Sequence, residues 1–203
     1  MHIDLSSLSS NNVYHLMTQT IIPRPIAWVL SANNNESLNL APFSYFNAVC
    51  SSPPLMMLSM GKKPSGDGKD TVTNLQVGAH CVVHIAHAEQ ADIVTATAAT
   101  LDYGTSEVIE NDIEMTHASA WPLPRVKSCP IAYLCKVHSV QEIGNAPQTL
   151  IFVEALEAYI DDNASTTHNE RLSVDALTIN PLARLGAAQY ANLGTTFSKT
   201  RPK

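Results

Sequence analysis

Hydrophobic positions in this chain gather in short runs bounded by Gly, Pro, Asn and Asp, with little helical spacing between them. Such a pattern predicts strands joined by turns. Residues 24–31 and 38–47 read as a strand pair around the polar turn Asn33-Asn34-Asn35-Glu36. Pro53-Pro54 resets the chain, and residues 55–60 make a short buried strand. Residues 80–87 form a further strand, and residues 131–140 and 149–160 form two more around the turn cluster Gly144-Asn145-Ala146-Pro147. Helical signals are brief: residues 4–18, an alanine-rich stretch at 91–99, and a helix from Asp70 towards Gly78 with Asp70 as its N-cap. Residues 101–125 read as a long connection ending in Trp121-Pro122-Leu123-Pro124, of the kind that serves as a lid or an interface arm. No regular alternation of strand and helix is present, so the fold class is mostly β: a barrel with short peripheral helices.

Length and charge narrow the classes. At 203 residues the chain is read as one domain spanning 1–203. A net charge of -6 argues against nucleic-acid binding, which needs a dominant basic face. No apolar run is long enough for a membrane helix, and Met1-His2-Ile3-Asp4-Leu5 lacks a secretory leader pattern, so a cytoplasmic protein with reduced thiols is expected. The cysteines Cys50, Cys81, Cys129 and Cys135 show no zinc-ligand spacing. His80 and His84 share one strand face and His87 lies on the other, so satisfied core or interface histidines are expected there and no metal site.

Two segments carry candidate chemistry. The second strand of the pair, Asn39-Leu40-Ala41-Pro42-Phe43-Ser44-Tyr45-Phe46-Asn47, holds a proline that a central strand would not tolerate, and its polar residues sit beside aromatic rings. Small residues, hydroxyls and proline on a strand suit backbone laid against a flat polar ligand. The second segment, Gly61-Lys62-Lys63-Pro64-Ser65-Gly66-Asp67-Gly68-Lys69-Asp70-Thr71, concentrates lysines in an acidic chain; it reads as a solvated turn or as an anion site. Asp67 follows Gly66, so the phosphate-binding pattern GxxxxGK[ST] fails. Arg24, stiffened by Pro23 and Pro25, is either a surface residue or a guanidinium held ready for an anion such as a phosphate.

Together with Pro23-Arg24-Pro25-Ile26-Ala27-Trp28-Val29-Leu30-Ser31 and the closing block Pro181-Leu182-Ala183-Arg184-Leu185-Gly186, these segments resemble the flavin reductase-like family, whose members carry FMN on a split β-barrel. The resemblance implies that Ala41, Pro42, Phe43, Ser44 and Asn47 meet the ring or ribityl chain. It implies that Ala27, Trp28, Val29 and Ser31 line the other side, that Arg24 reaches a phosphate or flavin oxygen, and that Lys69, Thr71 and Lys63 take the phosphate. It further implies an FMN-dependent oxidoreductase reduced by NADH or NADPH, active as a homodimer, which passes electrons to a small-molecule or protein acceptor. No GxGxxG fingerprint is present, so nicotinamide would stack directly on the flavin, and no catalytic acid or nucleophile is assigned. A non-enzymatic FMN electron carrier is the alternative, and the histidines leave a haem-binding barrel as a third reading. Gly186 also fits the C′ position of a terminal helix, and Ala187 stands where the family commonly has a second glycine.

Overall fold

The computed structural model describes every residue except Pro64, Ser119, Ala146 and Lys203. In chain order the elements are α1 (Ser10–Thr20), β1 (Arg24–Pro25), β2 (Ala27–Ala32), β3 (Leu38–Phe43), β4 (Phe46–Ser51), β5 (Pro54–Met60), α2 (Asp70–Asn74), β6 (His80–Ile85) and α3 (Ala91–Ala96). They continue with α4 (Glu107–Glu110), β7 (Met115–Thr116), β8 (Arg125–Val126), β9 (Ile131–Ile143), β10 (Gln148–Ile160), β11 (Ser165–His168), β12 (Arg171–Val174), α5 (Ala176–Ile179), β13 (Ala183–Arg184) and β14 (Tyr190–Ala191). Ala146 and Pro64, from the turn cluster and the lysine loop, lie outside the described residues. Among the described residues no helix is long and apolar enough to cross a membrane.

Seven strands make the main sheet, in the order β3-β2-β6-β9-β10-β5-β4 with antiparallel neighbours. β3 and β4 are consecutive in the chain, separated by Ser44 and Tyr45, yet they occupy opposite ends of that order. The sheet must therefore curl until its two edges meet at Ser44-Tyr45. Among the described residues no ladder closes it, and a barrel split along this seam results. Ala27 and Val29 of β2 reach Met56, Leu58, Ile151 and Val153 from β5 and β10 within the curl. The opposite side chains of β2, Trp28 and Leu30, pack outward against Val94, Trp121, Leu123 and Val126. Both faces of β2 are covered, which is why it reads as an unbroken apolar run.

The proline puzzle resolves at the edge. The Asn33 N–H donates to the Ser37 carbonyl at 2.8 Å, which sets the phase of the β2–β3 hairpin. By alternation Leu38, Leu40 and Pro42 then turn their backbone groups away from β2. Pro42 thus loses no ladder bond, because β3 is an edge strand. The outward N–H of Leu40 donates to Glu107 Oε2 at 2.9 Å, and Ser106 Oγ donates to the Leu38 carbonyl at 2.6 Å. Burial raises the carboxyl pKa of Glu107 above its ordinary value, while the Leu40 bond opposes the rise.

Three expectations need correction. Trp121 is no arm towards a partner; it is buried in this chain's own core, with Nε1–H donating to Glu157 Oε2 at 2.8 Å. Asp70 does not cap α2: Lys69 holds the N-cap position, and the Asp70 carboxylate is engaged by Lys63 instead. Gly186 ends no helix. β13 pairs with β1, and a side chain at Gly186 would run into Gln19, whose Cα lies 3.1 Å from where a Cβ would sit. As expected of a core histidine, His84 is fully buried and satisfied, its Nδ1 2.9 Å from the Trp28 carbonyl and its Nε2 accepting from the Val126 N–H at 2.9 Å. All four cysteines are free thiols.

Candidate functional site

Three chambers adjoin along the seam. The first lies between β3, the lysine loop and the segment after α3; Asn39, Ala41, Phe43, Lys63, Thr71 and Thr100 line it. The second shares Pro42 and Lys69 with the first and adds Tyr14, Ser44, Tyr45 and Gln148; its volume is about 450 Å³. The third shares Ser44, Tyr45 and Ser59 with the second; its volume is about 560 Å³, and Met17, Ile21, Asn47, Met57 and Leu150 add to its walls. One groove therefore runs past Pro42 and Ser44, apolar at one end and bearing Lys63 and Lys69 at the other, where Asp70 and Glu107 also lie.

The lysine end is built from below. Ser31 Oγ accepts from Asn39 Nδ2 at 3.3 Å and from Asn74 Nδ2 at 3.1 Å. Asn39 Nδ2 also donates to Thr71 Oγ1 at 2.9 Å. That bond uses an acceptor site of the hydroxyl, so the proton of the buried Thr71 stays available to an anion in the chamber. Lys69 is half-buried, and among the described residues its Nζ has no hydrogen bond or ion pair. Lys63 is less free: its Nζ lies 2.6 Å from Asp70 Oδ1. The opposite wall was not anticipated. Trp28 Nε1–H donates to Thr97 Oγ1 at 2.8 Å and anchors the Thr97–Leu101 turn, whose Thr100 faces the chamber. These small residues carry no motif; their one sequence signal is a pair of threonines closing an alanine-rich helix.

Nine of the thirteen residues expected to hold a flavin face the groove: Arg24, Ala41, Pro42, Phe43, Ser44, Asn47, Lys63, Lys69 and Thr71. Ala27, Trp28 and Val29 are fully buried behind the wall, and Ser31 belongs to the network that supports Thr71. Arg24 lies against the groove, but its donors are spoken for. Nη1 donates to the carbonyls of Thr18 at 2.5 Å and Ile21 at 3.2 Å, Nη2 to that of Leu185 at 3.0 Å, and Nε to Ser44 Oγ at 3.4 Å. It ties α1, the groove strand and the C-terminal block together, and it does not wait for a phosphate.

The groove suits a flavin that carries an anionic side chain. Its anionic end suits Lys69 and Thr71; its ring edge, with carbonyl oxygens and an N–H, suits the outward backbone of Pro42–Ser44; its flat faces need the apolar cover that follows. Among the described residues no group of His, Cys, Asp and Glu is placed to hold a metal ion.

Comparison with known proteins shows the family and the fold. The family model of the flavin reductase-like domain matches residues 17–179. The uncharacterized protein YwrF of Bacillus subtilis is 29% identical over 199 residues, which cover 96% of each chain. The structure of nitrilotriacetate monooxygenase component B from Bacillus cereus superimposes with a TM-score of 0.89 at 29% identity, covering 98% of both chains. A proposed flavin reductase with a split barrel domain from Shewanella frigidimarina, 20% identical and covered in full along with this chain, gives a TM-score of 0.83 and shows the shared fold.

Proposed function

The chain belongs to the flavin reductase-like domain family, and from that premise we propose that it is an FMN-binding oxidoreductase whose flavin is reduced by NADH or NADPH. The observation that carries this reading is the groove itself, with a half-buried lysine at one end that has no partner among the described residues and the free edge of β3 along its middle. FMN, when bound, supplies hydride transfer. The protein's part is binding and alignment: Lys69 and Thr71 hold the phosphate, the outward backbone groups of Pro42 and Ser44 meet the ring edge, and Tyr45 shields it from water. Hydride transfer between two stacked rings needs alignment more than an acid or base, so no side chain is given a catalytic role.

The name of the Bacillus cereus protein, a monooxygenase component, supports passage of the electrons to a second component or a small acceptor. The activity is read as cytoplasmic. Anaerobic mixing of the FMN-loaded protein with NADH and with NADPH tests the reading, and bleaching of the flavin absorbance on the turnover timescale is expected with at least one of them. If neither nucleotide bleaches the flavin while a chemical reductant does, the protein is an electron carrier and not a reductase.

The assembly is proposed to be a homodimer. β4 is an edge strand exposed beyond Phe46, and Val49 on it, like Val140, Ile143 and Leu156 of the long β9–β10 hairpin, is an exposed apolar residue. A second copy covering these residues is the commonest closed arrangement. Sedimentation over falling protein concentration should reveal a dimer; a monomer at every concentration refutes it.

A further inference from the structure

Resting on the flavin reading above, we propose that Glu107 is a proton-carrying member of the phosphate site: it takes up one proton as a terminal phosphate enters the first chamber and donates a hydrogen bond through it, so that flavin binding is coupled to pH.

The first chamber has a volume of about 90 Å³. That is small against the roughly 300–1,000 Å³ of a whole ligand site, so it has room for a phosphate group and not for a further nucleoside. A phosphate that ends there is a monoester, which carries about one and a half to two negative charges near neutral pH. Four charged side chains line the space: Lys63, Lys69, Asp70 and Glu107. With both carboxylates ionised their charges cancel, and a phosphate would leave the confined chamber with an excess of negative charge. A carboxylate that takes a proton lowers that excess. It also turns an acceptor that repels the phosphate oxygens into a donor that binds them.

The two acids are not equivalent. Asp70 is held by Lys63, with Nζ 2.6 Å from Oδ1, and stays ionised. Glu107 is 4% exposed and has no ion pair among the described residues. Its place is fixed by the backbone of β3, against which α4 packs: Oε2 accepts from the Leu40 N–H, and Ser106 beside it donates to the Leu38 carbonyl. Oε1 has no hydrogen bond to another residue among those described, so a proton placed there leaves the Leu40 bond intact. Burial is the largest influence on the carboxyl group and favours its neutral form; the N–H groups of Leu40 and of Glu107 itself oppose it. Of the charged groups that face it, Asp70 favours the neutral acid and Lys63 the carboxylate. Lys69, across the same chamber, acts with Lys63, and an arriving phosphate acts with Asp70.

The bound state then holds more protons at Glu107 than the free protein does, so raising the pH weakens FMN, by at most about tenfold per pH unit. The second ionisation of the phosphate, at about pH 6, works in the opposite sense, because the lysines prefer the dianion. Calorimetric titration with FMN and with riboflavin, in buffers of different ionisation heat and at stepped pH above that ionisation, counts the protons. FMN is expected to bind with uptake of up to one proton and riboflavin with none. Glu107→Gln keeps an acceptor for Leu40 and supplies a permanent donor to the phosphate. It should abolish the uptake, flatten the pH dependence and hold FMN several-fold more tightly than the unsubstituted protein at alkaline pH. Uptake that persists in a Glu107→Gln protein whose riboflavin binding is normal would overturn the proposal. Should the variant not fold, the proton count of the unsubstituted protein, FMN against riboflavin, still decides. A clear preference for FMN over riboflavin with no proton uptake overturns the role of Glu107 alone. FMN bound no more tightly than riboflavin overturns the placement of the phosphate as well.

Discussion

Changing Lys69 and Thr71 together to alanine is expected to weaken FMN a hundredfold or more while leaving riboflavin almost unaffected. The two ligands differ by the phosphate, so the comparison isolates the lysine end of the groove. A hydrogen bond to a charged group contributes about 1.5–3 kcal/mol, or roughly ten- to a hundredfold in affinity. Two such contacts that couple imperfectly place the double variant at or above the upper end of that range. Lys69 has no partner to lose among the described residues, so its removal should not disturb the fold. Thr71 is buried, but Asn39 keeps its second acceptor, Ser31 Oγ, when the hydroxyl goes. Fluorescence titration with both flavins decides the matter. Equal losses for FMN and riboflavin would mean that the phosphate lies elsewhere. Lys63→Ala should cost less than Lys69→Ala, since Lys63 already serves Asp70.

The second large effect is on acid stability. Burial pushes the imidazole of His84 down to about 4, against which its bond to the Trp28 carbonyl is the weaker influence. A neutral ring with the proton on Nδ1 donates to that carbonyl and accepts the Val126 N–H on Nε2, so both buried backbone groups are satisfied. The unfolded chain takes up a proton near pH 6.5, and the folded chain resists until about pH 4. Between those values the unfolded state binds more protons, so stability is complete above pH 6.5 and falls as the pH drops towards 4. The loss should reach about 3 kcal/mol, from roughly 1.4 kcal/mol per pH unit across that window. Urea unfolding at stepped pH measures it, and imidazole nitrogen shifts identify the residue. A ring that titrates near 6.5 in the folded protein would remove this explanation. Because Trp28 also anchors Thr97, loosening at His84 should reach the Thr97–Leu101 wall of the groove before the rest of the sheet.

What the sequence made legible follows from local physics. The hairpin of β2 and β3 could be read because its apolar runs and its Asn-rich turn are contiguous, and Glu36 takes the positive φ such a turn requires. The lysine loop stood out by charge. Sidedness did not: in Ala27-Trp28-Val29 every position is apolar because both faces are buried, so the pattern cannot say which face meets a ligand. Arg24 misled for a related reason. A guanidinium between two prolines looks poised, and the carbonyls that occupy it come from α1 and from Leu185, distant in sequence. The stretch ending in Trp121 read as a lid or interface arm because Glu157, the hydrogen-bond partner of Trp121, lies on another element. Pro42 was recognised as anomalous for a central strand; only the order of strands turns that anomaly into the mark of an edge.

That edge has a further consequence. A bare strand margin is a template on which another polypeptide can add by cross-β pairing, and proteins blunt such margins with proline or with side chains that occupy the free groups. Here Glu107 consumes the donor of Leu40, Ser106 consumes the acceptor of Leu38, and Pro42 has no donor to give. An incoming strand would need that alternation of donors and acceptors intact and would find it broken at each outward residue. A planar heterocycle needs only the two or three polar groups beside Ser44. The margin is thus closed to polypeptide and open to a small molecule, and a single strand achieves both because its proline falls where the sealed part ends and the binding part begins.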